Sequence, residues 1–335
     1  MSSEGVFVTG ATGFLGGTLV RKLLARGNDV TASGRQISKL DALAGLGARI
    51  LPLDLGVSEK SNRATDPLAH DMPTCRAMVH CAALSSPWGR RADFERANIR
   101  GTQTAIELAR EIGVSRFVYI STPSVYFQFA DQENVSEETP LPRPVNDYAA
   151  TKLEAEALVL EATDIDPVVL RPRGLYGAGD KALLPRLLLA ARAGALPLMR
   201  GGAAAIDLTH IDDVVDAVMA AIEVEGLEGE RVFNVSGGVM LPVKDIVEAA
   251  CARQGIELRW RPLPVAMVMM YARAAEAVCR MRPSFPEPRI TAYAAGLFAY
   301  RQSLNISRAE THLGWRPKIG FDEGLEMTFA GGGVL

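Results

Sequence analysis

Three observations predict a doubly wound α/β fold, a parallel sheet with helices on both faces, followed by a smaller, discontinuous lobe. The first is a glycine-spaced turn, Gly10-x-x-Gly13-x-x-Gly16, set directly after the apolar run Val6-Phe7-Val8-Thr9. The second is the alternation of short β-rich runs with helical patterns from Gly5 to about Val169. The third is composition: 335 residues, 48% apolar and 22% charged, are enough to bury a large core.

The first strand, turn and helix follow from local chemistry. Gly10 permits a sharp exit from the strand, Gly13 lets the backbone approach a pyrophosphate, and Gly16 lets the first helix pack closely. An anion lodged there meets free helix N–H groups and the positive end of the helix dipole. Gly10, Thr12, Gly13, Phe14, Leu15 and Gly16 are therefore candidate contacts for a dinucleotide. Val30-Thr31-Ala32, Ile50-Leu51-Pro52-Leu53, Met78-Val79-His80, Phe117 to Ile120 and Pro167 to Leu170 predict the following strands of a buried parallel sheet. Beyond Arg171 the pattern loosens into Pro-, Gly- and Ala-rich connections with separate helices. The predicted division is a dinucleotide-binding domain over 1–175 that regains about 207–238, and a substrate lobe from 176–206 and 239–335.

Charge and cysteine usage narrow the function classes. A net charge of −3 argues against a nucleic-acid surface. Cys75, Cys81, Cys251 and Cys279 lie far apart with no C-x-x-C pair, which indicates no metal site and fits reduced thiols. No basic-then-apolar leader precedes the strand at Val6, so a cytoplasmic location is the expectation.

A second motif carries the chemistry. Tyr148 and Lys152 are four residues apart, so on a helix they share one face. A phenol is too weak an acid to serve near neutrality, and a neighbouring cation is expected to lower its pKa and make Tyr148 a usable acid or base. Two solvated helix residues would show the same spacing, and the nucleotide turn upstream is what makes the pair specific.

Cofactor choice is expected at the end of the second strand, which reads Ser33-Gly34-Arg35. No acidic residue stands there to hold a ribose 2′-hydroxyl. Arg35 offers a forked pair of donors to a 2′-phosphate, with Ser33 and Lys39 beside it. NADP(H) is thus predicted over NAD(H), the alternative being that Arg35 is a solvated loop cation.

Together these features resemble the extended short-chain dehydrogenase/reductase family over nearly the whole chain, and the resemblance implies a Rossmann sheet. Asp54-Leu55 matches the acidic position beside adenine, and Val79-His80-Cys81-Ala82-Ala83 the fourth-strand motif beside the cofactor. Asn98 with Gly101-Thr102 matches the next helix, where Asn98 either joins a proton relay or braces the sheet. Phe117 to Tyr126 matches the fifth strand, which implies that Thr122 is the catalytic hydroxyl four residues before the second tyrosine. Leu170-Arg171-Pro172-Arg173, Tyr176 to Asp180, His210 to Asp213, Phe233-Asn234-Val235 and Leu313 to Pro317 match later landmarks; Arg171 and Asp212 are expected to tie the lobes together.

The resemblance implies hydride transfer with Tyr148 as general acid or base, Thr122 holding the substrate oxygen, and Lys152 binding the nicotinamide ribose. Dehydratase members carry an acidic pair after their threonine, whereas Pro123-Ser124 stands here. Ser85 to Gly89, the Ser-Thr-Pro-Ser-Val run and Arg171-Pro172-Arg173 resemble the 3β-hydroxysteroid dehydrogenase and 2-alkyl-3-oxoalkanoate reductase branch. That points to a bulky apolar ketone or secondary alcohol as the small-molecule partner, with Ser85, Trp88, Ser124 and Tyr176 in the substrate wall. A nucleotide-sugar epimerase is the alternative, its diphosphate anchored by Lys181, Arg186, Arg192 and Arg200, and a non-catalytic NADP(H) sensor is the third reading. A homodimer is compatible with each.

Two segments have open readings. Val265 to Val278, with Met267, Met269, Met270 and Tyr271, is too short to span a bilayer; it is a core helix, an apolar pocket wall or a membrane-touching surface. Phe127 to Asp147 is an idle surface loop or a gate before the catalytic tyrosine.

Overall fold

The computed structural model describes residues 5–57, 74–227 and 229–330. The chain runs β1 (Gly5–Thr9), α1 (Phe14–Ala25), β2 (Val30–Gly34), α2 (Ile37–Ala44) and β3 (Arg49–Pro52). It continues with β4 (Cys75–His80), α3 (Arg91–Phe94), α4 (Gly101–Glu111), β5 (Arg116–Ile120), β6 (Gln132–Val135), α5 (Asp147–Glu161) and β7 (Pro167–Pro172). Next come β8 (Leu175–Tyr176), α6 (Leu184–Ala193), β9 (Leu196–Leu198), β10 (Ala205–Asp207), β11 (Thr209–His210), α7 (Ile211–Glu223) and β12 (Val232–Val235). The last part is β13 (Met240–Pro242), α8 (Val243–Arg253), β14 (Trp260–Pro262), α9 (Val265–Met281), α10 (Ala292–Leu297), β15 (Gln302–Leu304), α11 (Ser307–His312) and α12 (Phe321–Phe329).

Seven strands form one parallel sheet in the order β12-β7-β5-β4-β1-β2-β3. Alternation along each strand feeds two cores. Val6 and Val8 pack under α1 and α7 with Ala77, Val79, Val118 and Val168, whereas Phe7, Met78, Phe117 and Tyr119 pack under α4 and α5 on the other face. Burial on both faces explains why these strands read as nearly continuous apolar runs. This is the Rossmann arrangement, and it opens a crevice at the carboxyl ends of β1 and β4, where the strand order reverses.

The remaining strands form a second group: a four-stranded sheet β13-β10-β15-β6, whose β6 comes from within 1–175, and two small pairs, β11 with β8 and β14 with β9. Its core gathers Leu184, Leu188, Val243, Ile246, Val247 and Leu325. The segment before Tyr148 is not a free loop. It contributes β6, which pairs with β15 from the far end of the chain, and Phe127 is buried at the junction, edge-on to Phe129 and Tyr293.

Candidate active site

The glycine turn has the geometry that its spacing predicts. Gly10 holds φ at 65°, and a Cβ there would lie 2.6 Å from the Ala82 amide nitrogen. At Gly16 a Cβ would lie 2.4 Å from the Gly10 carbonyl oxygen, so the helix approach requires glycine. Gly13 caps α1 with no side chain of its own to engage the first-turn N–H groups. Those donors are left to meet an anion.

The turn opens onto a cleft of about 740 Å³. Gly10, Thr12, Gly13 and Phe14 form one wall, Ser33, Arg35, Asp54 and Leu55 one end, and Cys81, Ala82 and Ala83 the opposite side. Burial pushes the Cys81 thiol up to about 12. Leu15 and Gly16 lie behind the wall as packing residues. Arg35 is an exposed cation at the rim, its side chain 70% exposed and 3.9 Å from Asp54. Lys39, Arg21, Arg96 and Lys181 line the same cleft, as do Ala178, Gly179, Asp180 and Ala182. There Asp180 is buried and accepts from the amides of Ala182, Leu183 and Leu184. Arg21 and Arg96 carry no motif, so only the fold reveals them; Lys181, read in the sequence as an anchor for a sugar diphosphate, lines this cleft instead.

The candidate reacting residues converge from three parts of the chain. Thr122 caps a short 3₁₀ turn after β5, its Oγ1 accepting from the Ser124 amide at 3.2 Å and donating to Ser124 Oγ at 3.0 Å. Asn146 caps α5 through the Ala149 amide at 2.8 Å, which sets Tyr148 in the first turn and Lys152 one turn on. Half-buried Tyr148 meets the side chains of Ser85 and Thr122. Burial raises its phenol pKa, and hydrogen bonds from those two groups partly oppose the rise.

This corrects the expectation that Lys152 lowers the phenol. The Lys152 ammonium instead donates to the Ile120 carbonyl at 2.6 Å and lies 4.0 Å from the centre of the Tyr119 ring. Its own pKa falls from 10.5 to about 7 because it is desolvated, with Glu156 the strongest opposing influence. Beneath it His80 bridges Thr9 and Thr102 at 2.7 and 3.1 Å. Burial, aided by the Lys152 charge, holds that imidazole neutral down to about 3.

Asn98 is a brace. Its side-chain amide exchanges hydrogen bonds with the Leu84 backbone and donates to Thr151 Oγ1 at 3.1 Å, tying the loop after β4 to α5. Arg171 also acts within the sheet domain. It pairs with buried Glu156 and donates to the Tyr126 hydroxyl, so it fastens α5 to β7 rather than joining the lobes. The joining cation is Arg173, 3.0 Å from Asp207 and 2.8 Å from Gln302. Asp213, rather than Asp212, anchors the C-terminal landmark, accepting from the amides of Lys318 and Ile319.

The residues assigned to the substrate wall separate. Ser85 reaches Tyr148, and Ser124 Oγ lies 2.8 Å from the Tyr293 hydroxyl. Trp88 stacks on Phe285 at 5.0 Å. Tyr176 instead sits in the interior, edge-on to His210 and so close to Gly324 that a Cβ there would meet its hydroxyl at 2.4 Å. Met267, Met270 and Tyr271 point to solvent, not into a pocket. Tyr293 was invisible in the sequence: it lies in an Ala-rich segment and reaches the site because α10 packs on Phe127.

Comparison with known proteins places these features in context. A profile of the NAD dependent epimerase/dehydratase family matches residues 6–236. The chain is 33% identical to a 4-hydroxy-2-methyl-3-oxo-4-farnesyl-3,4-dihydroquinoline-1-oxide ketoreductase of Stigmatella aurantiaca, covering 96% of this chain and 94% of that one. It is 31% identical to a 2-alkyl-3-oxoalkanoate reductase of Stenotrophomonas maltophilia (strain K279a), covering 96% and 97%. The solved structure of MoeE5 in complex with UDP-glucuronic acid and NAD superposes with a TM-score of 0.71 at 27% identity, covering 97% of both chains.

Proposed function

The chain belongs to the NAD-dependent epimerase/dehydratase family, and from that premise we infer an NADP(H)-dependent oxidoreductase that interconverts a ketone and a secondary alcohol on a bulky apolar substrate. A steroid-like molecule or an alkyl β-keto acid is the substrate class. The carrying observation is the convergence of Thr122 and Ser85 on the Tyr148 phenol, with no carboxylate following Thr122.

The cleft fits a dinucleotide: the glycine cradle leaves no room for a Cβ, and the uncapped start of α1 presents N–H donors for a pyrophosphate. Hydride donation and acceptance at carbon is the chemistry such a cofactor supplies when bound. Tyr148, kept protonated by burial, gives its proton to the carbonyl oxygen in reduction and takes it back in oxidation. Thr122 holds that oxygen by hydrogen bond, and Lys152 holds the ribose. Arg35, exposed and only loosely opposed by Asp54, supports the 2′-phosphate form, with Lys39 and Arg21 on the same cleft.

Two findings favour an apolar substrate over a nucleotide sugar. Tyr293 offers aromatic surface at Ser124, next to Thr122, and Trp88, three residues along from Ser85, adds a stack with Phe285. Of the cations that would anchor a diphosphate, Arg186 is engaged by Glu287 and Arg200 by Asp131. The names of the two reductases, on a farnesylated heterocycle and on alkyl oxoalkanoates, agree with this class.

The test is NADPH consumption with a panel of steroid, alkyl β-keto acid and aromatic ketones, alongside calorimetry with UDP-sugars. Tight UDP-sugar binding with no response to the ketones would make the protein an epimerase. NADPH binding with no turnover of any substrate would leave a sensor.

A further inference from the structure

Helix α9 is amphipathic in the inverted sense. Its inward side is Val268, Met269 and Ala272, buried against α10. Its outward side is Met267, Met270, Tyr271, Ala274, Val278 and Met281, spaced three or four residues apart so that they form one stripe along the helix. These side chains are well exposed, Met270 at 69% and Met281 at 85%. A solvent-facing helix normally carries polar residues there, and a contiguous apolar patch of this kind marks a binding surface.

The charge around the stripe has one sign. Arg273 and Arg280 flank it, and Arg282 follows directly; all three are exposed. The helix's single carboxylate, Glu276, turns inward to accept from the Ala292 amide at 2.7 Å and pairs with Arg280 at 3.6 Å, its side chain 14% exposed, which among the described residues leaves Arg273 and Arg282 as the unopposed cations. Nearby Glu287 is taken by Arg186. In a chain of net charge −3, this face is locally cationic. A second copy docked stripe to stripe would bring arginine against arginine, whereas an anionic lipid surface satisfies both the apolar stripe and its cationic flank. The end of α9 also borders the site: Arg280 stacks over Trp88, which stacks on Phe285, three residues from Ser85.

We propose that α9 docks the protein on the surface of an anionic bilayer, with the apolar stripe at the acyl boundary and Arg273 and Arg282 among the headgroups. No described helix is long and apolar enough to cross a membrane, so the contact is interfacial. It sets the Trp88–Phe285 edge of the site beside the lipid phase.

The full chain is mixed with phosphatidylcholine vesicles, with and without phosphatidylglycerol, and sedimented. Binding to the phosphatidylglycerol vesicles, weakened by salt and reduced about tenfold or more by Met270→Asp with Met281→Asp, supports the proposal. Retained NADPH binding by the double variant shows that it is folded. No sedimentation of the wild type with anionic vesicles at low salt, or sedimentation unchanged in the folded double variant, overturns it. So does light scattering that finds a dimer which the double variant splits, since the stripe then belongs to a second copy. Vesicle binding requires neither substrate nor turnover, so this outcome is separate from that of the ketone panel.

Discussion

Lys152 directs its ammonium to the carbonyl of Ile120, 2.6 Å away, and not to the phenol of Tyr148 one helical turn earlier. The charge is buried, which lowers the lysine pKa from 10.5 to about 7 in the folded protein. Between those values the unfolded chain holds the proton that the folded chain has released, so this group makes stability rise with pH across the window. Below about 7 the cost of the buried ammonium is fully present. Lys152→Met lacks this term. Urea midpoints of the wild type should therefore gain on those of the variant from about pH 7 upward, and parallel curves for the two proteins would show that Lys152 is not desolvated.

Tyr148→Phe removes the proposed proton donor and leaves the glycine cradle intact. Turnover of a responsive ketone should fall by at least about 10²-fold, the usual scale for a general acid. NADPH affinity should survive, as fluorescence titration would report. Near-normal turnover would take Tyr148 out of the mechanism.

The sheet and the cofactor crevice were legible because their signals are local: β-branched runs buried on both faces, a glycine spacing that only a tight turn explains, and a Tyr–Lys pair on one helical face. The second lobe was not, because its pieces find their partners far along the chain. β6 pairs with β15, and Tyr293 enters the site only by packing on Phe127. Apolar composition likewise says nothing of which face of α9 is covered, and Tyr176 reads the same whether it lines a pocket or lies under Gly324. Arg171 lies in β7 and Arg173 just past its end, two residues on; only the neighbours reveal that the first grips α5 and the second pairs with Asp207 and Gln302.

Arg35→Ala tests the cofactor assignment. Loss of a charge-assisted pair to a phosphate costs roughly 1.5–3 kcal/mol, about one to two decades of affinity. NADPH binding should weaken by that amount and NADH binding should stay. An equal loss for both would mean that Arg35 serves the adenine end or the fold, not the phosphate.

The Arg171–Glu156 pair fixes the helix that carries Tyr148 and Lys152. Arg171 donates to both carboxylate oxygens of Glu156, which also accepts from Ser121 Oγ at 2.6 Å, and both partners are nearly excluded from water. Removing one member strands a buried charge, so Arg171→Met should destabilise the protein by about 3–5 kcal/mol. Removing both, in Arg171→Met with Glu156→Leu, takes away the stranded charge along with the pair. The double variant should therefore unfold at higher denaturant than Arg171→Met alone, with a coupling energy read from the four-protein cycle. Its turnover should nevertheless stay below wild type, because α5 loses the fork that sets its height against β7 and with it the alignment of Tyr148 with Thr122. Additive destabilisation by the two single changes would mean that each residue is held by its other neighbours, Tyr126 for the arginine and Ser121 for the glutamate, and that the ion pair itself is not what positions the helix.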